Sequence, residues 1–255
     1  MINDIKGTII KVQIEDAQFE LPHKIRAKIE SFWSQYTEGT SLWNGEVMCV
    51  GEYKRDENEM IIICKKTDYA HYLYDERIGL SQEFACNNLA AACLLETSDN
   101  YYIIGELGES HSFPHCMQIT GGAVDRKDIQ NGNIDVFNTI TRECEEELNI
   151  RLQDKTQVES FKMKYISCPT EDVHSYILIA KGKLKMTKFQ MQEYYEQYLQ
   201  YLKENNLEIE FSKIHFIKKG KTTEELKQFE NPKRNYLESL LEIDSREKEI
   251  EMSER

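Results

Sequence analysis

The run Arg142-Glu143-Cys144-Glu145-Glu146-Glu147-Leu148-Asn149-Ile150 constrains the fold of this chain more than any other stretch. Glutamate runs usually mark a solvated helix face, but here the spacing separates them. Glu143, Glu146 and Glu147 stand at i, i+3 and i+4, which one side of an α-helix brings within reach of one another. Phe137, Ile140, Cys144 and Leu148 recur at helical spacing and predict the core stripe of the same helix, starting near Asp135 and ending near Asn149. The three carboxylates fall on the arc beside that stripe, whereas Glu145 points elsewhere. Like charges gathered at the border of a core are unfavourable unless a cation compensates them. A hard divalent ion that takes oxygen ligands, Mg2+ or Mn2+, meets that need. The helix therefore needs both a core to pack on and a cleft at its edge.

The rest of the chain supplies strands for that core. The pattern predicts a strand over 7–15, a helix over 22–36, and an antiparallel pair, 47–53 and 60–66, around Asp56-Glu57-Asn58. Further strands are expected at 89–96, 101–105 and 116–120, the last leading into Gly121-Gly122. Residues 125–135 are polar and turn-forming and read as a loop. Strands at 162–168 and 175–181, a tyrosine-rich helix over 187–205, a strand over 208–217 and a final helix from Pro232 complete the pattern. Strands framing single helices, with the sheet covered on both sides, indicate an α/β sandwich.

Charge and composition exclude several classes of function. A net charge of −13 argues against a broad nucleic-acid surface, which needs a concentrated positive field. The apolar run Leu89 to Leu95 is too short to span a bilayer, so no membrane partner is expected. Met1-Ile2-Asn3-Asp4 carries no secretory pattern. Seven scattered cysteines, without Cys-x-x-Cys or zinc-ligand spacing, read as reduced core thiols and point to the cytoplasm.

The glycine pair, the loop and the Arg-Glu-x-x-Glu-Glu helix together resemble the Nudix hydrolase signature, G-x5-E-x7-R-E-U-x-E-E-x-G-U, with U apolar. Arg142 and Glu143 match R-E, Cys144 fills the apolar slot, Glu146 and Glu147 match E-E, and Ile150 closes the motif. Asn149 stands where the family has glycine; both tolerate a left-handed helix end. Counting back from Arg142 places Ile134 at the family's first glutamate, with an insertion expected around residues 126–132. More loosely, the whole chain is similar to the animal Nudix-type proteins that hydrolyse UDP-glucose and UDP-galactose. The shared features are Leu42-Trp43-Asn44-Gly45, an extended stretch ending at Gly79-Leu80, the long loop after the glycines, and a late strand-then-helix tail.

The resemblance implies a Nudix-type α/β/α sandwich with a mixed sheet over 85–244, an N-terminal α+β extension over 1–84 and a polar tail over 245–255. It implies Glu143, Glu146 and Glu147 as metal ligands, with the Gly121 carbonyl as an extra one and Arg142 orienting the carboxylates. Mg2+ or Mn2+ would neutralise the pyrophosphate of a nucleoside diphosphate linked to a group X and activate a water. The expected substrate is a UDP-sugar, with ADP-ribose, a dinucleotide, or binding without turnover as alternatives. Glu146 or Glu147 is expected to act as base, or a later carboxylate such as Glu171, with Asp172 beside it. Gly122 and Arg77 are expected to contact substrate, and His111, His115, Trp43 and Tyr72 are weaker candidates. Lys218, Lys219 and Lys221 read as a solvated turn, and Tyr194, Tyr195, Tyr198 and Tyr201 as a packing stripe. A homodimer fits the family's habit.

Overall fold

The structure, a computed structural model, describes residues 1–40, 42–170 and 174–253. In chain order the elements are β1 (Ile2–Asp4), β2 (Ile9–Gln18), α1 (His23–Tyr36), β3 (Glu46–Arg55), β4 (Glu59–Asp68), α2 (Tyr69–Ile78), β5 (Asn88–Glu96) and β6 (Tyr101–Leu107). They continue with β7 (Met117–Gln118), β8 (Thr120–Ala123), β9 (Ile129–Gln130), β10 (Asn133–Ile134), α3 (Val136–Leu148), β11 (Val158–Ser167) and β12 (Ser175–Leu184). The last are α4 (Lys188–Glu204), β13 (Phe211–Lys218), α5 (Thr222–Leu226) and α6 (Leu237–Ser253).

β5 lies at the heart of a mixed sheet, parallel to β12 and antiparallel to β8. Its sequence explains why. Leu89, Ala91, Cys93 and Leu95 face one apolar cluster while Ala92 and Leu94 face another. A strand apolar on both sides is stable only with both faces covered. α3 and α4 cover the first face through Ile140, Cys144, Leu148, Met191 and Tyr195. α6 covers the second through Leu237, Leu240 and Leu241. The result is the expected three-layer α/β sandwich.

The N-terminal segment is stitched into this sheet. β1 pairs with β11, Cys49 of β3 bridges Asn88 of β5, and Asn133 of β10 pairs with Gln13 of β2. Val12, Met48, Met60 and Ile62 share one apolar cluster with β5 and α3.

Four local expectations are corrected. The stretch ending at Gly79-Leu80 is not extended but helical: Asp68 caps α2 by accepting from the His71 N–H, and Gly79 ends it at φ +84°. Loop 125–135 contains a 3-10 turn at Arg126–Asp128 and the β9–β10 hairpin. Phe137 is 43% exposed and packs edge-on against Phe161 outside the core. The final helix starts at Leu237, because residues 232–236 instead run beside β7, where the Met117 N–H donates to the Pro232 carbonyl at 2.7 Å.

Candidate active site

Helix α3 is fixed at both ends by its own residues. Asp135 accepts from the N–H groups of Phe137 and Asn138 at 3.0 and 3.3 Å. Asn149 ends the helix in the left-handed region, φ 56° and ψ 30°, and the Ile150 N–H returns to the Cys144 carbonyl at 2.9 Å. This frame sets Glu143 and Glu147 against β8. The Thr120 hydroxyl and the Gly121 N–H (3.0 Å) both donate to Glu147 Oε2. Glu147 Oε1 is buried and meets no hydrogen-bond partner among the described residues.

A third carboxylate completes the group. One oxygen each from Glu143, Glu147 and Glu210, at the entry to β13, lie within 4.8 Å of one another. Burial, only partly offset by Arg142, pushes the Glu143 carboxyl up from 4.5 to about 7. Burial raises Glu147 well above its ordinary range, reinforced by Glu210 and Glu143, and burial raises Glu210 as well. Three oxygen donors that hold protons so tightly, one with an orphaned buried oxygen, fit a hard divalent cation such as Mg2+ or Mn2+.

Arg142 binds the rim of this group. Its Nη1 lies 2.7 Å from Glu143 Oε1 and 3.1 Å from Glu146 Oε2, and its Nη2 lies 3.5 Å from Asp128 Oδ2. Burial opposes the arginine charge, but Glu143, Asp128 and Glu146 outweigh it and raise its pKa. Asp128 is fully buried and also accepts from Asn138 Nδ2 (2.7 Å), Thr139 Oγ1 (2.8 Å) and the Asp125 N–H (3.0 Å). This corrects the count that put Ile134 at the first acidic position. Asp128 stands at the sixth place after Gly122, where the Nudix pattern has its first glutamate. The insertion follows it, as the β9–β10 hairpin.

The cluster opens into a cleft of about 490 Å³. Gly122 lines it, and a Cβ there would lie 2.5 Å from Glu143 Oε1, so a larger residue would displace that carboxylate. Away from the carboxylates, Tyr69, Tyr72, Phe113, Tyr236, Glu76 and Arg234 line the same cleft. The Arg234 guanidinium sits 4.0 Å from the Phe113 ring centroid and 3.6 Å from Glu76 Oε1. His111 stands between, its Nε2 3.8 Å from Glu210 Oε1; burial and then Arg234 push it down to about 4, so it is neutral at pH 7.

The sequence matches no family model and no curated protein. Among solved structures, a Deinococcus radiodurans protein has a TM-score of 0.42 at 15% identity, over 60% of this chain and 80% of that one. A Nudix hydrolase from Nitrosomonas europaea has a TM-score of 0.37 at 11% identity, over 63% and 88%. The Nudix domain of Shewanella oneidensis NrtR, solved with ADP ribose, has a TM-score of 0.39 at 11% identity, over 70% and 97%. At such identities the chemistry has to be argued from the side chains.

Of the sequence-predicted trio, Glu143 and Glu147 enter the cluster. Glu146 stays on the cleft rim, its side chain 59% exposed, and Glu210 takes the third place. Arg77 does not line the cleft; it donates to the Ser112 carbonyl at 2.6 Å and packs 4.5 Å from the Phe113 ring centroid. Glu171 and Asp172 lie outside the described residues. Tyr72 lines the cleft, Trp43 is exposed, and His115 pairs with Glu106 at 3.4 Å. Lys219 is no solvated lysine: with Lys181 it binds Glu96 and the buried Asp244. Glu210, Arg234, Glu76 and Asp128 were missed. Only the glycine count could have found Asp128; the others carry no local signal.

Proposed function

We propose that this chain hydrolyses the pyrophosphate bond of nucleoside diphosphates linked to a group X, on the Nudix pattern and with Mg2+ or Mn2+. The observation that carries this reading is the convergence of Glu143, Glu147 and Glu210 on one point of a cleft, with Glu147 Oε1 unpartnered. These three would hold the metal, with the Gly121 carbonyl as a further ligand. When bound, the metal supplies neutralisation of the phosphate charge and an acidified water.

The chain's own residues do the rest. Arg142, fixed by Asp128, keeps Glu143 turned into the cluster and takes up part of its charge. Glu146 stands on the rim outside the cluster, and we assign it the role of accepting the proton of the attacking water. Water oxygen bonds to one phosphorus, the bridging P–O bond breaks, and a nucleoside monophosphate and X-phosphate result. The aromatic end, with Arg234 stacked on Phe113, offers a flat surface and a fixed cation for the base.

A UDP-sugar is our favoured substrate, giving UMP and sugar 1-phosphate; Leu42-Trp43-Asn44-Gly45, the long loop after the glycines and the late strand-then-helix tail support it, while the stretch before Gly79-Leu80, being helical, does not. Asp128 weighs against binding without turnover, since an acidic residue stands behind Arg142. The test is incubation with Mg2+ and UDP-sugars, ADP-ribose, dinucleotides and nucleoside triphosphates, measuring phosphate monoester release. Metal-dependent UMP release, lost in Glu146→Gln and Glu147→Gln, is the expected result. Tight nucleotide binding without release overturns it, and variants as active as the parent overturn the site.

A further inference from the structure

We propose that the tyrosines of α4 are positioning residues that hold the two halves of the carboxylate cluster at a fixed separation. The inference rests on the metal-binding reading of that cluster. Glu143 and Glu147 come from α3, and Glu210 comes from the entry to β13, far along the chain. Their joint use requires something that spans both elements.

α4 does so through hydroxyl groups. Tyr198 donates to the Glu146 carbonyl at 2.8 Å, and Tyr194 donates to the Asn149 carbonyl at 2.8 Å. Tyr194 also accepts from Asn149 Nδ2 at 2.8 Å and from Gln157 Nε2 at 3.1 Å. Tyr195, 1% exposed, donates to the carbonyl of Phe211 at 2.5 Å, next to Glu210. The last carbonyls of a helix have no partner within it. Here two of those at the end of α3 are taken by one neighbouring helix, which grips the start of β13 as well. Positions 194, 195 and 198 share one side of α4, so the three grips form a single rigid bracket.

The bracket sets a distance that matters. One oxygen each from Glu143, Glu147 and Glu210 lie within 4.8 Å of one another, and they stay so only while α3 and the start of β13 keep their separation. The Tyr195 and Tyr198 hydroxyls meet backbone carbonyls, so deleting them takes away no carboxylate from the cluster. A phenylalanine keeps the ring packing and deletes the grip.

The experiment is Mn2+ binding by calorimetry to the parent, to Tyr195→Phe, to Tyr198→Phe and to the double variant. Tyr201→Phe is the control, because its hydroxyl makes no hydrogen bond among the described residues. We expect each single variant to bind Mn2+ several-fold more weakly and the double variant at least about tenfold, or about 1.4 kcal/mol, with the control unchanged. A second measurement is hydrogen exchange in chelator. The double variant should exchange faster at both the last turn of α3 and the first residues of β13. Parental Mn2+ affinity in the double variant, or loosening of one element alone, overturns the bracket. If the parent binds no Mn2+ yet both elements loosen together, the bracket stands and the metal reading falls.

Discussion

Stability of the metal-free protein should fall as pH rises through neutrality, which is unusual for an acidic domain. Glu143 is the measurable source. Its carboxyl is 4.5 when unperturbed and about 7 in the fold, raised first by burial. Below pH 4.5 both folded and unfolded states carry the proton, and no penalty exists. Between 4.5 and 7 the folded state holds a proton that the unfolded state has released. Stability therefore declines across that window and stays low above it. The interval, at about 1.36 kcal/mol per pH unit, amounts to about 3 kcal/mol. Glu147 and Glu210 shift in the same direction and extend the decline upward.

For a chain of this size about 3 kcal/mol corresponds to a melting temperature change on the order of 5–10 °C. The assay is thermal unfolding in chelator from pH 4.5 to 8.5, repeated with Mg2+ or Mn2+. The metal should restore what the repulsion removes, adding about 2.7 kcal/mol at a hundredfold excess over its dissociation constant. Glu143→Gln should remove much of the decline between pH 4.5 and 7 in chelator and lose most of the metal response. A melting temperature that is flat in pH, or indifferent to metal, would refute the reasoning, because the carboxylates would then not be confined together.

Three further outcomes are expected. Below pH 4.5 stability should fall for a separate reason: burial opposes the Glu96 charge, but Lys181, Lys183 and Lys219 hold its carboxyl down to about 2, so its contribution is lost as pH drops from 4.5 towards 2, seen as acid unfolding that Lys183→Met weakens. Asp128→Asn cannot accept from Thr139, Asn138, the Asp125 N–H and Arg142 together; we expect a loss of about 1–3 kcal/mol and a turnover drop of about 10–100-fold, checked by denaturant melts and initial rates. Gly122→Ala places a Cβ 2.5 Å from Glu143 Oε1 and should weaken metal binding at least about tenfold, whereas Gly132→Ala, with nothing within 4 Å, should cost only backbone strain of about 1 kcal/mol.

What could be read from sequence followed how local its cause was. α3 was legible in place and length, because its cap Asp135, most of its apolar stripe and its left-handed Asn149 all act within the helix. Phe137 lay on the predicted stripe but turns outward against Phe161, while Val136 beside it takes the core position in that first turn. α2 was missed because it has no single apolar face: Ala70, His71, Tyr72, Leu73 and Asp75 are all buried, so no helical period shows. Asp128 was hidden by arithmetic, since counting back from Arg142 runs through a hairpin that the pattern does not contain. Glu210 was out of reach altogether. It becomes a cluster member only through the pairing of β13 with β6 and the grip of Tyr195, both decided by tertiary structure.

The inserted hairpin also explains how the chemistry and the selectivity of this cleft are joined. Asp128, which steadies Arg142, leads directly into β9 and β10, and β10 pairs with β2 while the Ile14 N–H donates to the Gly132 carbonyl at 3.0 Å. β2 lies beside β4, and β4 leads into α2, whose Tyr69, Tyr72 and Glu76 line the cleft opposite the carboxylates. A continuous run of hydrogen-bonded strands thus connects the aromatic wall of the cleft to the helix that carries Glu143 and Glu147. Removing the N-terminal segment would strip that wall, leave β10 paired with β9 alone and expose the edge of β11 that β1 covers. Substrate choice should therefore be altered by substitution within α2, with the segment left in place, because its strands also hold the helix that carries Glu143 and Glu147.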